Sequence, residues 1–188
     1  MRTLINFIIR GHFVGGEIIR GKVWRWLILL CGGECGKNLR IGRSVKFKYA
    51  PHSKIKFGSN VYIGDYCVID CPPFASLSLG DSVQLNLGSF IAVNGTVDIG
   101  RYTLIAEYVS IRDHDHGFAI SQQVHLQDNV VSPISIGDDV WIGRGVAILR
   151  GVNLGSKAVI GANAVVKKDI PCAAVAVGVP AKVVKTRE

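Results

Sequence analysis

The stretch Ile136-Gly-Asp-Asp-Val-Trp-Ile142-Gly-Arg-Gly-Val-Ala-Ile148-Leu-Arg-Gly-Val-Asn-Leu154-Gly-Ser-Lys-Ala-Val-Ile160-Gly-Ala-Asn-Ala-Val-Val166 carries one aliphatic residue every six positions. A period of six fits neither an α-helix nor a simple two-residue alternation. It fits a coil with three short flat sides, each using six residues, so that one turn takes about 18. The aliphatic residue of each side points inward, and the Gly that often follows is expected to let the chain bend at a corner.

The same step runs upstream. Phe57, Ile63 and Ile69 keep it, then Leu79, Leu85 and Ile91, then Ile99, Ile105 and Ile111. Ile41-Gly42 starts the pattern less cleanly. The steps from Ile69 to Leu79 and from Ile91 to Ile99 are longer and read as corner insertions. The gap from Ile111 to Ile136 reads as a loop leaving the prism, residues 112–135. Long loops on rigid scaffolds usually carry function. The expected organisation is an N-terminal helical, amphipathic segment over 1–33, a β-solenoid of five to six turns over 34–170, and a tail over 171–188.

The chain has 188 residues, 48% of them hydrophobic and 19% charged, which excludes disorder and fits one domain. Its 22 glycines have no collagen register. The net charge of +8 is localised. Residues 1–56 hold twelve Lys/Arg against two acids, and residues 57–188 hold ten against twelve. The solenoid therefore lacks a field that would draw a polyanion, and no DNA-binding motif is present; no nucleic-acid partner is expected.

The N-terminal segment is interrupted by Arg10, Glu17, Arg20, Lys22 and Arg25, so it reads neither as a transmembrane span nor as a signal peptide. Residues 3–10 and 17–31 read as two short helices. Capping of the first coil is the favoured role, with Trp24 and Trp26 beside basic residues suiting an interfacial anchor as the other, and the two are compatible. Peripheral membrane contact through residues 1–30 is carried forward on that basis. The expected location is cytoplasmic, with the inner face of the membrane as its alternative setting. Cys31, Cys35, Cys67, Cys71 and Cys172 are odd in number and read as free thiols. The two C-x3-C pairs miss zinc-ribbon spacing, and no metal is expected.

The runs Ile136–Gly143, Val159–Pro171 and Val177–Val184 resemble the hexapeptide-repeat acyltransferases, with the sugar and polysaccharide O-acetyltransferases, of galactoside and maltose acetyltransferase type, as the nearest branch. The resemblance covers about residues 34–188. It implies an all-β, left-handed parallel β-helix, a homotrimer with active sites between neighbouring prisms, acetyl-CoA as co-substrate, and a carbohydrate acceptor.

Acetyl transfer to a hydroxyl needs a base in the transition state, and histidine is the side chain that titrates nearest neutrality. His114 and His116 stand where the prism gives way to the loop, in Arg112-Asp-His-Asp-His-Gly117. The resemblance places the base five residues after an apolar anchor, which is His116, with His114 as the other candidate. Asp113 and Asp115 alternate with them, either orienting an imidazole or standing as exposed acids. His12 and His52 receive no role. By the same resemblance Asn86 and Asp115 are substrate-binding candidates. Trp141, Ala162, Lys167, Lys168, Lys182 and Lys185 are candidates for holding CoA. Asn86 also suits a structural ladder, Trp141 a packing role and the lysines a solvated edge. Arg144 replaces a small polar residue common in the family. Three competing functions are kept: N-acetylation of an amino sugar; a zinc-dependent γ-type carbonic anhydrase, whose histidine spacing the chain does not match; and a non-catalytic solenoid.

Overall fold

The structure, a computed structural model, describes residues 2–188, with side chains described from Gly15 onward. His12 and the upstream helical spacing of Leu4, Phe7 and Ile8 lie outside the described side chains. From Glu34 the chain winds through three parallel sheets, as the period of six requires. The first face stacks Glu34–Cys35, Ile55–Phe57, Ser76–Leu79, Thr96–Ile99, Ile134–Ile136 and Asn153–Leu154. The second stacks Arg40–Ile41, Tyr62–Ile63, Gln84–Leu85, Leu104–Ile105, Trp141–Ile142, Val159–Ile160 and Ala174–Val177. The third stacks Lys46–Phe47, Val68–Asp70, Phe90–Ala92, Ser110–Arg112, Ala147–Ile148 and Val165–Val166. The coil continues past residue 170, because Val175 pairs in parallel with Val159. The expected tail is thus part coil and part return strand, Lys182–Thr186, which runs antiparallel to the last coil.

Registers align anchor on anchor. Phe57 stands beside Leu79, Leu85 beside Ile105, and Ile111 beside Ile148. Ile41, Ile63, Leu85, Ile105, Ile142 and Ile148 are fully buried, and these rows form the core. Each such side chain contributes about 1.5–3 kcal/mol of burial.

The corner chemistry differs from expectation. The Gly after each anchor is not where φ turns positive. The residue two further on makes the bend: Asn60 (φ 59°) after Gly58, Tyr66 (60°) after Gly64, Asp139 (54°) after Gly137. The Gly is required by stacking instead. A Cβ on Gly58 would stand 2.6 Å from the Asp81 backbone nitrogen, and one on Gly137 would stand 2.5 Å from that of Ser156.

The N-terminal segment forms one helix, α1 (Arg2–Leu30), where two short ones were expected. Gly11, Gly15 and Gly16 cost helix stability at about 1 kcal/mol each, but docking of its second half offsets this. Gly21 lets the helix meet the Leu39 carbonyl, and Arg20 and Arg25 donate to backbone carbonyls of the first coil at 2.7–2.9 Å. Ile28 is buried, and Trp24 stacks on Phe47 at 4.1 Å between centroids. Trp24 and Trp26 therefore part company: the first packs inward, while the second is 61% exposed. No helix among the described residues is long and apolar enough to cross a membrane.

Candidate functional site

The excursion leaves the corner between the third and first faces. The prism closes on both sides of it, since Ile111 pairs with Ile148 and Asp98 with Ser135. It is narrower than expected by a residue or two at each end, because Arg112 and Ile134 still belong to prism strands. Its base is an antiparallel ribbon of His114–His116 with Asn129–Val131, and its tip holds a short 3-10 turn, Val124–Leu126.

Asp113 anchors the ribbon. Its side chain is fully buried and accepts the backbone N–H groups of Asn94 and Gly95, each at 2.7 Å. A buried carboxylate persists only with such partners. Its Oδ1 also lies 2.9 Å from His114 Nδ1. With Nδ1 donating to this carboxylate, the neutral tautomer of His114 presents Nε2 as the acceptor. His114 keeps 15% of its side-chain exposure. His116, two residues on along the ribbon, is exposed and has no side-chain hydrogen bond among the described residues.

Asp115 lies between them and is engaged by Arg150, whose Nε donates to Oδ2 at 2.8 Å while its guanidinium reaches Ser132 Oγ at 3.5 Å. Ser132 N–H in turn donates to the Asp113 carbonyl at 2.9 Å. Asp115 is thus a latch between ribbon and prism. Sequence reasoning missed Arg150 and the Asn94–Gly95 amides, because each acts across a gap that only the coil register closes. A carboxylate before each histidine was the available signal.

The other candidates are distributed over separate corners. Asn86 lies at the corner between the second and third faces, and its Nδ2 donates to the Ile105 carbonyl at 2.8 Å, the ladder role. Beside it is a hollow of about 240 Å³ lined by Glu17, Tyr62, Asp65, Asn86, Leu87 and Glu107. Ala162 shares that corner, stacked beyond Gly143. Trp141 lies on the second face, 54% exposed, not packed inside. Lys167 and Lys168 are exposed on the histidine corner, and Lys182 and Lys185 on the return strand. One chain therefore does not gather Asn86, Ala162 and the two histidines into one cleft.

His52 is structural: Lys54 N–H donates to its Nδ1 at 3.3 Å, so its Nε2 donates to the Cys71 carbonyl at 3.0 Å. All five cysteines are free thiols, and burial pushes Cys67 up to about 11 and Cys71 up to about 12. No group of three or more His, Cys, Asp or Glu among the described residues is placed to hold a metal ion.

Residues 133–168 match the family model described as the hexapeptide repeat of succinyl-transferase. A galactoside O-acetyltransferase of Escherichia coli is 34% identical, the match covering 83% of this chain and 82% of the relative. A putative lipopolysaccharide biosynthesis O-acetyltransferase of the same organism is 37% identical over 70% of this chain and 71% of that one. A probable acetyltransferase of Mycobacterium tuberculosis is also 37% identical, but the match spans only half of that longer protein. Among solved structures, an N-acyltransferase from Bacillus cereus, in complex with coenzyme A and dTDP-4-amino-4,6-dideoxyglucose, superposes with a TM-score of 0.74. The superposition covers 87% of this chain and 89% of that one at 20% identity, a likeness of fold.

Proposed function

This chain belongs to the hexapeptide-repeat acetyltransferases, and from that premise we propose that it moves an acetyl group from acetyl-CoA to a hydroxyl of a sugar or polysaccharide precursor. The observation that carries the reading is the histidine ribbon, held by the buried Asp113 on the one excursion from a repeat shared with sugar O-acetyltransferases.

His116 is the proposed base. Its exposed ring is free to meet an acceptor and a thioester brought by a neighbouring prism. The imidazole takes the proton of the acceptor hydroxyl as its oxygen attacks the thioester carbonyl. The tetrahedral intermediate then expels CoA thiolate, which takes the proton back and leaves as thiol. Asp113 and Arg150 hold the ribbon in place and touch no substrate. One observation favours a second assignment: His114, with Nδ1–H bonded to Asp113, already presents an oriented Nε2.

Asn86 is proposed to hold the acceptor through its side-chain oxygen, since its Nδ2 is already used. Trp141 is proposed to wall the pantetheine groove, Ala162 to admit it, and Lys167, Lys168, Lys182 and Lys185 to meet CoA phosphates as point charges. Asp115 is proposed to meet the acceptor through Oδ1, since Arg150 takes only Oδ2.

A homotrimer completes the proposal. It would bring the Asn86 corner of one prism to the histidine corner of another. The excursion tip supports such contact: Phe118 is 78% exposed and Ile120 fully exposed, both apolar.

The test is acceptor-dependent release of CoA thiol over a panel of sugars and nucleotide sugars. His116→Ala should lower it by ~10²–10⁴-fold. Loss with His114→Ala alone moves the base one step along the ribbon. Absence of both CoA binding and thiol release leaves a non-catalytic solenoid. A product stable to mild alkali shows that the acceptor is an amine.

A further inference from the structure

Among its described side chains helix α1 has two apolar sides, and the prism takes one of them. Gly21, Trp24 and Ile28 face the first coil. On the opposite side Ile19 (65% exposed), Val23 (53%), Trp26 (61%) and Leu30 (67%) follow one another at steps of four, three and four. That spacing sets them in one line along the helix. Ile18 and Leu29, both exposed, widen the stripe. A contiguous apolar surface of this kind marks a contact site.

Charge selects the occupant. The first 56 residues carry twelve Lys/Arg and two acids, so a second copy of this end would meet like charge. A surface of anionic phospholipid would meet opposite charge. Lys22 on the helix, and Lys37 and Lys46 on the first coil, are exposed and have no ion pair among the described residues. Trp26 suits the headgroup level, where an indole keeps its ring in acyl chain and its N–H in water. Since α1 is not apolar enough to cross, it would lie in the plane of the interface.

We propose that helix α1 docks this protein on anionic membrane through Ile19, Val23, Trp26 and Leu30, with the basic first coil holding the headgroups. The proposal is independent of the chemistry assigned to the histidine ribbon.

The experiment is co-sedimentation of the full chain with phosphatidylcholine vesicles, with and without phosphatidylglycerol. The protein should bind the anionic vesicles, and binding should weaken as salt rises. Val23→Glu should reduce it by about tenfold or more, because a charge would enter the acyl region. Trp26→Ser, which adds no charge, should also weaken it. Both positions are exposed, so thermal unfolding should be unchanged. No binding to either vesicle, equal binding to both, or no effect of either variant overturns the proposal. So does a solution mass that Trp26→Ser reduces in the absence of lipid, which would assign the stripe to a second copy.

Discussion

Two corners of the prism and the third obey different rules. Where the first face meets the second, and the second the third, anchor follows anchor at six residues in every coil. At most of those corners a Gly with no room for a Cβ is followed two places on by a left-handed residue, Asn86 and Ala106 holding the Gly place in two coils of the second-to-third corner. Every longer step falls where the third face returns to the first: Phe47 to Phe57, Ile69 to Leu79, Ile91 to Ile99 and Ile111 to Ile136. Backbone of adjacent coils is in contact at the strict corners, so an added residue there would break every pairing above it. The return corner holds insertions of different length in successive coils while keeping some backbone bonds between them, as Val93 N–H to the Asp70 carbonyl shows. The histidine ribbon sits on the only corner where the scaffold tolerates length.

The largest effect that would break this contrast is a side chain at a strict corner. Gly137→Val puts branched carbons where a single Cβ already meets the Ser156 backbone. We expect a loss of about 3 kcal/mol or more in denaturant unfolding, at the top of the range for overpacking. Gln123→Ser, on the exposed excursion and without a side-chain cap hydrogen bond, should change stability by no more than about 0.5 kcal/mol. Equal losses at the two positions would abolish the distinction.

A smaller effect tests how the tolerant corner is kept in order. Arg150→Gln removes the Asp115 pair and leaves the core intact. We expect kcat to fall about tenfold with little change in unfolding midpoint, because misplacing a reacting group costs rate before it costs fold. Unchanged kcat would reduce the latch to a surface ion pair.

The smallest effect lies back on a strict corner. Burial alone would raise the Asp65 carboxyl, but the Arg43 amide at 2.7 Å and its guanidinium at 2.8 Å outweigh that and lower it. A lowered folded value contributes stability above the ordinary carboxylate range, lost as pH falls through the folded value. Asp65→Asn should therefore cost about 0.5–1 kcal/mol at neutral pH, the scale of an exposed pair. The difference from the unchanged protein should vanish in strong acid. A difference that persists there would mean that shape rather than charge is at work.

The rows of anchors, and with them the three faces and the site of the excursion, were legible because a fixed step of six leaves its mark in one dimension. The histidines were legible because they sit beside the break. Arg150 and the Asn94 and Gly95 amides were not. Their partnership with Asp115 and Asp113 depends on which coil lies next to which, and the intervening loop hides that in sequence. The purpose of the Gly was misread for a related reason: a bend is a local property, but contact between coils is not. The two short helices expected over 3–10 and 17–31 are one, because docking of Gly21 and Ile28 on the first coil is a tertiary contact that local spacing does not record.

The two ends of the stack close it in different ways. A parallel coil with a bare rim would template a further coil, and a column of them would grow into a filament. At one rim α1 lies over the first coil, its arginines taking up carbonyls that a newcomer would need. At the other, Lys182–Thr186 runs backwards along the last coil, so the outermost strand of the second face has the wrong polarity for another turn. Its lysines add a charged fringe. A further coil is thus opposed at both ends of the described stack.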